Sequence, residues 1–266
     1  MPKISVIMGV YNCKNRNLLE TSIDSIIAQT YKDWEFIICN DGSTDDTLEI
    51  LHTLEKKDSR IKVISYDKNH GLNYALNECL KVARGAFIAR QDDDDISYPQ
   101  RFEKELQFLN ENPECGFVGC IADVYDDAGV WGEYLVEERP TKKSFLWNSP
   151  FMHPTIMVRK KVYDSVNGYR IAKETRRCED LDLFMRMYSK GIYGYNIQEK
   201  LYKYRLVNDP QKKYRPMKYR VDEAIVRYKG YKKLEIGVVG IPYIIKPILV
   251  GIIPQKLLYK IKKKRY

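Results

Sequence analysis

Between residues 4 and 89 the chain changes its hydrophobic period again and again, and this alternation limits the fold more than any other feature. Residues 4–10 (ISVIMGV) are apolar and β-branched, as in a buried strand, whereas 18–29 carry Leu19, Ile23, Ile26 and Ile27 at helical spacing. A second strand is expected at 34–39, then a helix at 44–54 with Ser43, Thr44, Asp45 and Asp46 as capping candidates. A third strand follows at 61–65, a helix at 72–83 behind Gly71, and a fourth strand at 86–89. The order is βαβαβαβ. Right-handed crossovers then require a largely parallel sheet with helices on both faces, and such sheets bind ligands at the carboxyl ends of their strands.

Beyond residue 98 the pattern is mixed. A helix is expected at 99–110, a strand pair at 117–125 and 131–136 around a DDAG turn, and a short strand at 155–158. A helix at 179–188 and strands at 193–197 and 201–205 complete it. With neither an internal repeat nor a low-complexity linker, residues 1–206 read as one two-part α/β domain, divided near 98, with 207–266 as an extension.

Composition separates those regions further. At 44% hydrophobic and 30% charged, the chain has the profile of a globular protein. Its net charge of +9 is unevenly placed: residues 1–199 carry −6 and residues 200–266 carry +15. A uniformly basic nucleic-acid binder would not look like this, so no nucleic-acid partner is expected; the tail alone calls for an anionic surface. The six cysteines form no CxxC pair, which reads as free thiols in a reducing compartment rather than a zinc site. The stretch MPKISVIMGVYN lacks the pattern of a secretory leader, so a cytoplasmic catalytic part is expected.

Two acidic clusters follow predicted strands: NDGSTDD at 40–46 and RQDDDD at 90–95. Capping and a solvated turn account for one or two of the second cluster's carboxylates, not four, because crowded like charges repel unless a cation or donors satisfy them. Aspartates on a tight turn suit Mg²⁺ or Mn²⁺, which take hard oxygen ligands and leave positions for phosphate oxygens. Neither GxGxxG nor GxxxxGK[ST] is present, so a diphosphate would be neutralised by a metal or by basic side chains.

SVIMGVYN (5–12), QTYKDWEFIICNDGSTDDT (29–47), NHGLNYALN (69–77), ARGAFIARQDDDDISYPQRFEKE (83–105), HPTIMVRK (153–160), NGYR (167–170) and CEDLDLFMRM (178–187) together resemble glycosyltransferase family 2. The resemblance implies a GT-A fold, with 1–98 as the nucleotide-binding half and 99–206 as the acceptor half. It implies that Asp41 accepts from a uracil NH, that Tyr11 covers the base or ribose, and that Arg90 and Asp93 line the nucleotide. Asp94 would hold the metal and Asp92 the ribose or a metal-bound water, in a register the run of four aspartates leaves open by one residue. Arg205 resembles a position near the diphosphate, with a surface charge as the plainer role; His153, one of three histidines, is a candidate for a further metal ligand or a phosphate donor, against a hydrogen-bonded structural histidine. Glu179 and Asp180 would form the acidic pair at which Asp180 takes the acceptor's proton while Glu179 orients it or contacts the sugar; helix capping is the plainer role for both.

Residues 236–254 contain 12 Ile, Val, Leu or Tyr in 19, broken by Pro242, Pro247 and Pro254, and precede QKLLYKIKKKRY. That is too interrupted for a spanning helix and suits a segment lying on an anionic membrane through residues 236–266. The expected activity is inverting, metal-dependent transfer from a nucleotide sugar, a UDP-sugar by preference, to a lipid-linked glycan at the cytoplasmic face of the membrane, in cell-surface polysaccharide synthesis. Transfer onto polyprenyl phosphate, or non-catalytic glycan binding on the same fold, are the alternatives. Self-association is left open.

Overall fold

A computed structural model describes residues 1–207 and 215–253. The first half follows the expected order: β1 (Ile4–Val10), α1 (Arg16–Ile27), β2 (Trp34–Asp41), α2 (Thr47–Glu55), β3 (Ile61–Tyr66), α3 (Leu72–Val82) and β4 (Phe87–Arg90). Then come β5 (Ile96–Ser97), α4 (Arg101–Glu111), β6 (Phe117–Asp126), β7 (Gly129–Tyr134), β8 (Met157–Arg159), α5 (Lys160–Ser165), α6 (Glu179–Ser189) and β9 (Gly194–Arg205). Two helices close the described chain, α7 (Met217–Leu234) and α8 (Ile241–Ile252).

The nine strands of the described residues share one sheet in the order β3-β2-β1-β4-β8-β6-β9-β5, with β7 beside β6. The four N-terminal strands are mutually parallel, as the crossovers require; β8 enters antiparallel to both β4 and β6. Alternation along β1 sends Val6 and Met8 into a core with α1, α2 and α4, and Ile7 into another with α3 and α6. The parallel strands therefore end on one rim, where Tyr11, Asp41 and the 91–95 loop emerge.

The structure departs from expectation in three places. Strands 193–197 and 201–205 are one strand, β9, because shifts in its pairing with β6 around Cys120–Ala122 absorb the intervening residues. β5 and α5 are too short to carry a readable period. Pro242 and Pro247 do not break the apolar segment: Pro242 lies in the first turn of α8, where no amide donor is needed, and Pro247 is buried within it. Pro254 and the basic run 255–266 lie outside the described residues.

The C-terminal helices are joined to the body. Val226, Tyr231 and Leu234 of α7 belong to the same core as α3 and α6, and buried Arg227 donates to the carbonyls of Phe145, Leu146 and Trp147. Val238, Ile241, Ile245, Leu249 and Ile252 remain exposed on and before α8. Among the described residues, no helix is long and apolar enough to cross a membrane. All six cysteines are free, with Cys13 half-buried and the others buried.

Candidate active site

The loop after β4 is held firmly by its backbone. Ser22 of α1 donates to the carbonyl of Asp92 (2.6 Å), Tyr125 of β6 to that of Asp94 (2.7 Å), and Arg101 of α4 to that of Arg90 (3.0 Å). Arg101 also donates to Gln91 and Ser97 and pairs with Glu105, both side chains being fully buried. Asp95 is buried as well: one carboxylate oxygen accepts from the Arg205 amide (2.7 Å) and the other has no protein partner.

The remaining carboxylates of the loop are poorly neutralised. Asp92 pairs with buried Arg90 at 2.6 Å. Burial, with the neighbouring charges of Asp94 and Asp92, raises Asp93 to about 7. Burial and Asp92 raise Asp94 to about 6, against the pull of Arg205 and Arg90. Arg205 spends its guanidinium on Asp127 at 2.8 Å, but its charge still reaches Asp94. Crowded oxygen donors with raised affinity for protons are what a divalent cation would relieve.

The donor set fits Mg²⁺ or Mn²⁺ in a site that the substrate completes: Asp94, with Asp92 beside it, supplies carboxylates, and such ions keep positions for water and phosphate oxygens. Among the described residues no three His, Cys, Asp or Glu side chains gather into a full protein cage. His153 is buried beside Glu179 and hydrogen-bonded through one ring nitrogen. Its Nε2 lies 2.8 Å from the Tyr169 hydroxyl, its Nδ1 is 3.9 Å from Glu179, and burial followed by the charge of Arg90 keeps the imidazole neutral, well below its usual range.

Asp41, at the end of β2, is hydrogen-bonded within the protein. One oxygen accepts from the Tyr66 hydroxyl (2.7 Å) and the His70 amide (2.9 Å), the other from the Asn69 side chain (2.8 Å) and the Gly71 amide (2.8 Å). All four acceptor directions are taken, so a base NH could bind only by displacing one of these donors. Gly42 permits the arrangement: its φ is +64°, and an added Cβ would sit 2.3 Å from the Lys68 carbonyl carbon. Tyr11, 47% exposed, stands beside this loop, and the next residue, Asn12, is tied to Ser43 and Thr44.

Glu179 and Asp180 open α6, some 85 residues beyond the aspartate loop. They face different neighbours. Burial and Asp180 raise Glu179 to about 7, while Arg90 and Asp92 also act on it, so this carboxyl joins the rim of β4. One Glu179 oxygen and two Arg90 nitrogens, Nε and Nη1, are buried without a protein partner. Burial raises the pKa of Asp180 against the Leu181 amide and Ser149, with Glu223 and Arg215 also acting on it; the Ser149 hydroxyl itself donates to the Phe151 carbonyl at 3.0 Å. Sequence reasoning missed Ser149, Arg101 and Tyr125. WNSP at 147–150 offered an aromatic beside polar residues as a signal; Arg101 looked like an ordinary helix charge.

Residues 5–166 match the model of the family described as "Glycosyl transferase family 2". The chain is 42% identical over 265 residues, 99% of itself and 94% of its relative, to "Putative glycosyltransferase EpsE" of Bacillus subtilis. It is 28% identical to the Escherichia coli "UDP-Gal:alpha-D-GlcNAc-diphosphoundecaprenol beta-1,3-galactosyltransferase", covering 87% of this chain and 84% of that one. Among solved structures, residues 1–349 of S. aureus TarS in complex with UDP-GlcNAc superpose with a TM-score of 0.70 at 18% identity, covering 92% of this chain and 73% of that one. The mannosyltransferase PcManGT from Pyrobaculum calidifontis, in complex with GDP-Man and Mn²⁺, gives 0.66 at 14% identity, covering 99% and 80%. The fold is GT-A, and the chain belongs to glycosyltransferase family 2.

Proposed function

We propose that this glycosyltransferase transfers a sugar, with inversion, from a UDP-sugar to a lipid-linked glycan, and that the transfer depends on a divalent cation. The observation that carries the reading is the meeting of two distant acidic elements: Asp92 on Arg90, Arg90 acting on Glu179, and Asp180 next to Glu179. In the proposed reaction an acceptor hydroxyl attacks the anomeric carbon, its proton passes to Asp180, and the bond to the diphosphate breaks with the electron pair leaving on UDP. Burial raises the proton affinity of Asp180, as suits a base working near neutral pH. The unpartnered Arg90 nitrogens and Glu179 oxygen offer donors and an acceptor for the sugar-diphosphate. A bound Mg²⁺ or Mn²⁺ on Asp94 and Asp92 would supply charge for the departing diphosphate.

The E. coli relative is named for a UDP-sugar donor and a lipid-diphosphate acceptor, which supports both halves of the reading. The exposed apolar residues of α8, followed in sequence by Lys-rich 256–265, support attachment to an anionic membrane surface. Such a chain should float with phosphatidylglycerol vesicles and stay behind with phosphatidylcholine ones; equal behaviour would remove the electrostatic part of this reading.

The central test is UDP release from a panel of UDP-sugars, with and without Mn²⁺, for the native chain and Asp180→Asn. The variant should keep UDP affinity and lose about 10²–10⁴-fold in transfer rate. Native turnover in the variant would end the role of Asp180 as base. A native chain that neither binds nor turns over any UDP-sugar would end the donor assignment.

A further inference from the structure

Between the end of β7 with the loop that follows it (132–137) and the segment 144–150 lies an open cavity of about 650 Å³. Its size is in the roughly 300–1,000 Å³ range of small-molecule sites. We propose that this cavity seats the saccharide end of the acceptor, with Trp147 as the ring on which a sugar stacks. The inference deepens the transferase reading above and rests on it, but it concerns a different surface from the nucleotide rim.

Three observations carry it. The first is connection to the reaction: Ser149 lines the cavity, donates its hydroxyl to the Phe151 carbonyl at 3.0 Å and is near enough to Asp180 to act on its carboxyl, so a sugar in the cavity has its hydroxyls in the neighbourhood of the proposed base. The second is the chemistry of the walls. Trp147 is 54% exposed, and Asn148, Ser144 and Glu137 surround it with acceptors and donors. A flat aromatic ring beside short polar side chains matches a pyranose, which presents C–H groups on one face and hydroxyls around its edge.

The third observation gives direction. The Lys246 ammonium lies 4.0 Å from the Trp147 ring centroid, and the Tyr243 ring meets that indole edge-on at 6.1 Å. Both residues belong to α8, which exposes Ile241, Ile245, Leu249 and Ile252. One end of the cavity thus adjoins the helix proposed to lie on lipid, while its Ser149 side adjoins Asp180. A saccharide joined through a diphosphate to a membrane-embedded chain could keep its lipid at α8 and reach the base with its sugar. The same path would not require the glycan to leave the surface between additions.

The test is binding of decyl diphosphate-linked N-acetylglucosamine to the full chain in the presence of UDP and Mn²⁺, compared among the native protein, Trp147→Ala and Trp147→Phe. Trp147→Ala should weaken the probe about tenfold or more, and Trp147→Phe, which keeps a ring, should recover most of that loss. UDP affinity measured on the same samples should stay within about twofold of native, since the nucleotide rim is untouched. Equal probe affinity in Trp147→Ala, or no probe binding by the native chain at millimolar concentration, would overturn the assignment. A native chain that binds the probe but not UDP would defeat the donor reading instead, so the two failures are distinct. Unfolding curves of both variants check that the half-exposed position has been changed without loss of the fold.

Discussion

The loops after β2 and β4 look alike in the sequence and differ in how their charge is met. Both leave the same rim, on strands that flank β1. In the first, Asp41 receives four hydrogen bonds from Tyr66 and the 69–71 turn, and its charge is fully used inside the protein. In the second, the backbone is anchored at Arg90, Asp92 and Asp94 while burial and neighbouring carboxylates raise Asp93 and Asp94 to about 7 and 6. The difference teaches that an acidic run after a strand says little by itself. The informative property is whether the surrounding chain satisfies it, and only the second loop leaves a demand that a cation could meet.

If the contrast is correct, removing charge must have opposite effects in the two loops. The largest effect is expected for Asp41→Ala, which leaves a hydroxyl, a side-chain amide and two backbone amides without their acceptor. Equilibrium denaturation should show a loss of about 2–4 kcal/mol. A loss below about 1 kcal/mol would mean that water replaces Asp41 easily and that the loop is not internally saturated.

The opposite sign is expected for Asp93→Asn. A carboxyl raised from 3.8 to about 7 in the folded chain lowers stability as pH climbs through that interval, because the folded state holds its proton where the unfolded state has released it. The variant should therefore match the native chain near pH 4 and exceed it by roughly 1–3 kcal/mol at pH 8 without added metal. Added Mn²⁺ should narrow that gap. A pH-independent difference would break the contrast.

A smaller effect sharpens the third acidic element. Ser149 lowers the proton affinity of Asp180 that burial raises, so Ser149→Ala should move the acid limb of the pH–rate profile upward. A limb that stays in place would separate Ser149 from the base.

Strands and helices of the first half were legible because each is long enough to show its period, and the parallel order then followed from chain handedness. The two-residue β5 and six-residue α5 had no such period to show. At the site, the residues after β2 and β4 could be placed on one rim from the strand order. What could not be read was pairing across the chain: that Tyr66 and His70 would fill Asp41, or that Tyr169 would occupy His153. Those depend on groups 16 to 29 residues away, a backbone amide among them, whose directions are set by packing. The same limit hid Ser149, which meets Asp180 only because the 144–150 segment folds back over α6.

Arg101 reaches the aspartate loop from behind, binding a carbonyl and two uncharged side chains and none of the forward carboxylates. The mounting of the loop is thus separate from its working surface. Replacing Asp93 or Asp94 changes what the front attracts without removing a fastener at the back, so a lineage could retune the ion or sugar it handles by single substitutions while the frame stays unchanged. The converse substitution, at Arg101, would remove the fasteners at Arg90, Gln91 and Ser97 and leave those that Ser22 and Tyr125 make to Asp92 and Asp94.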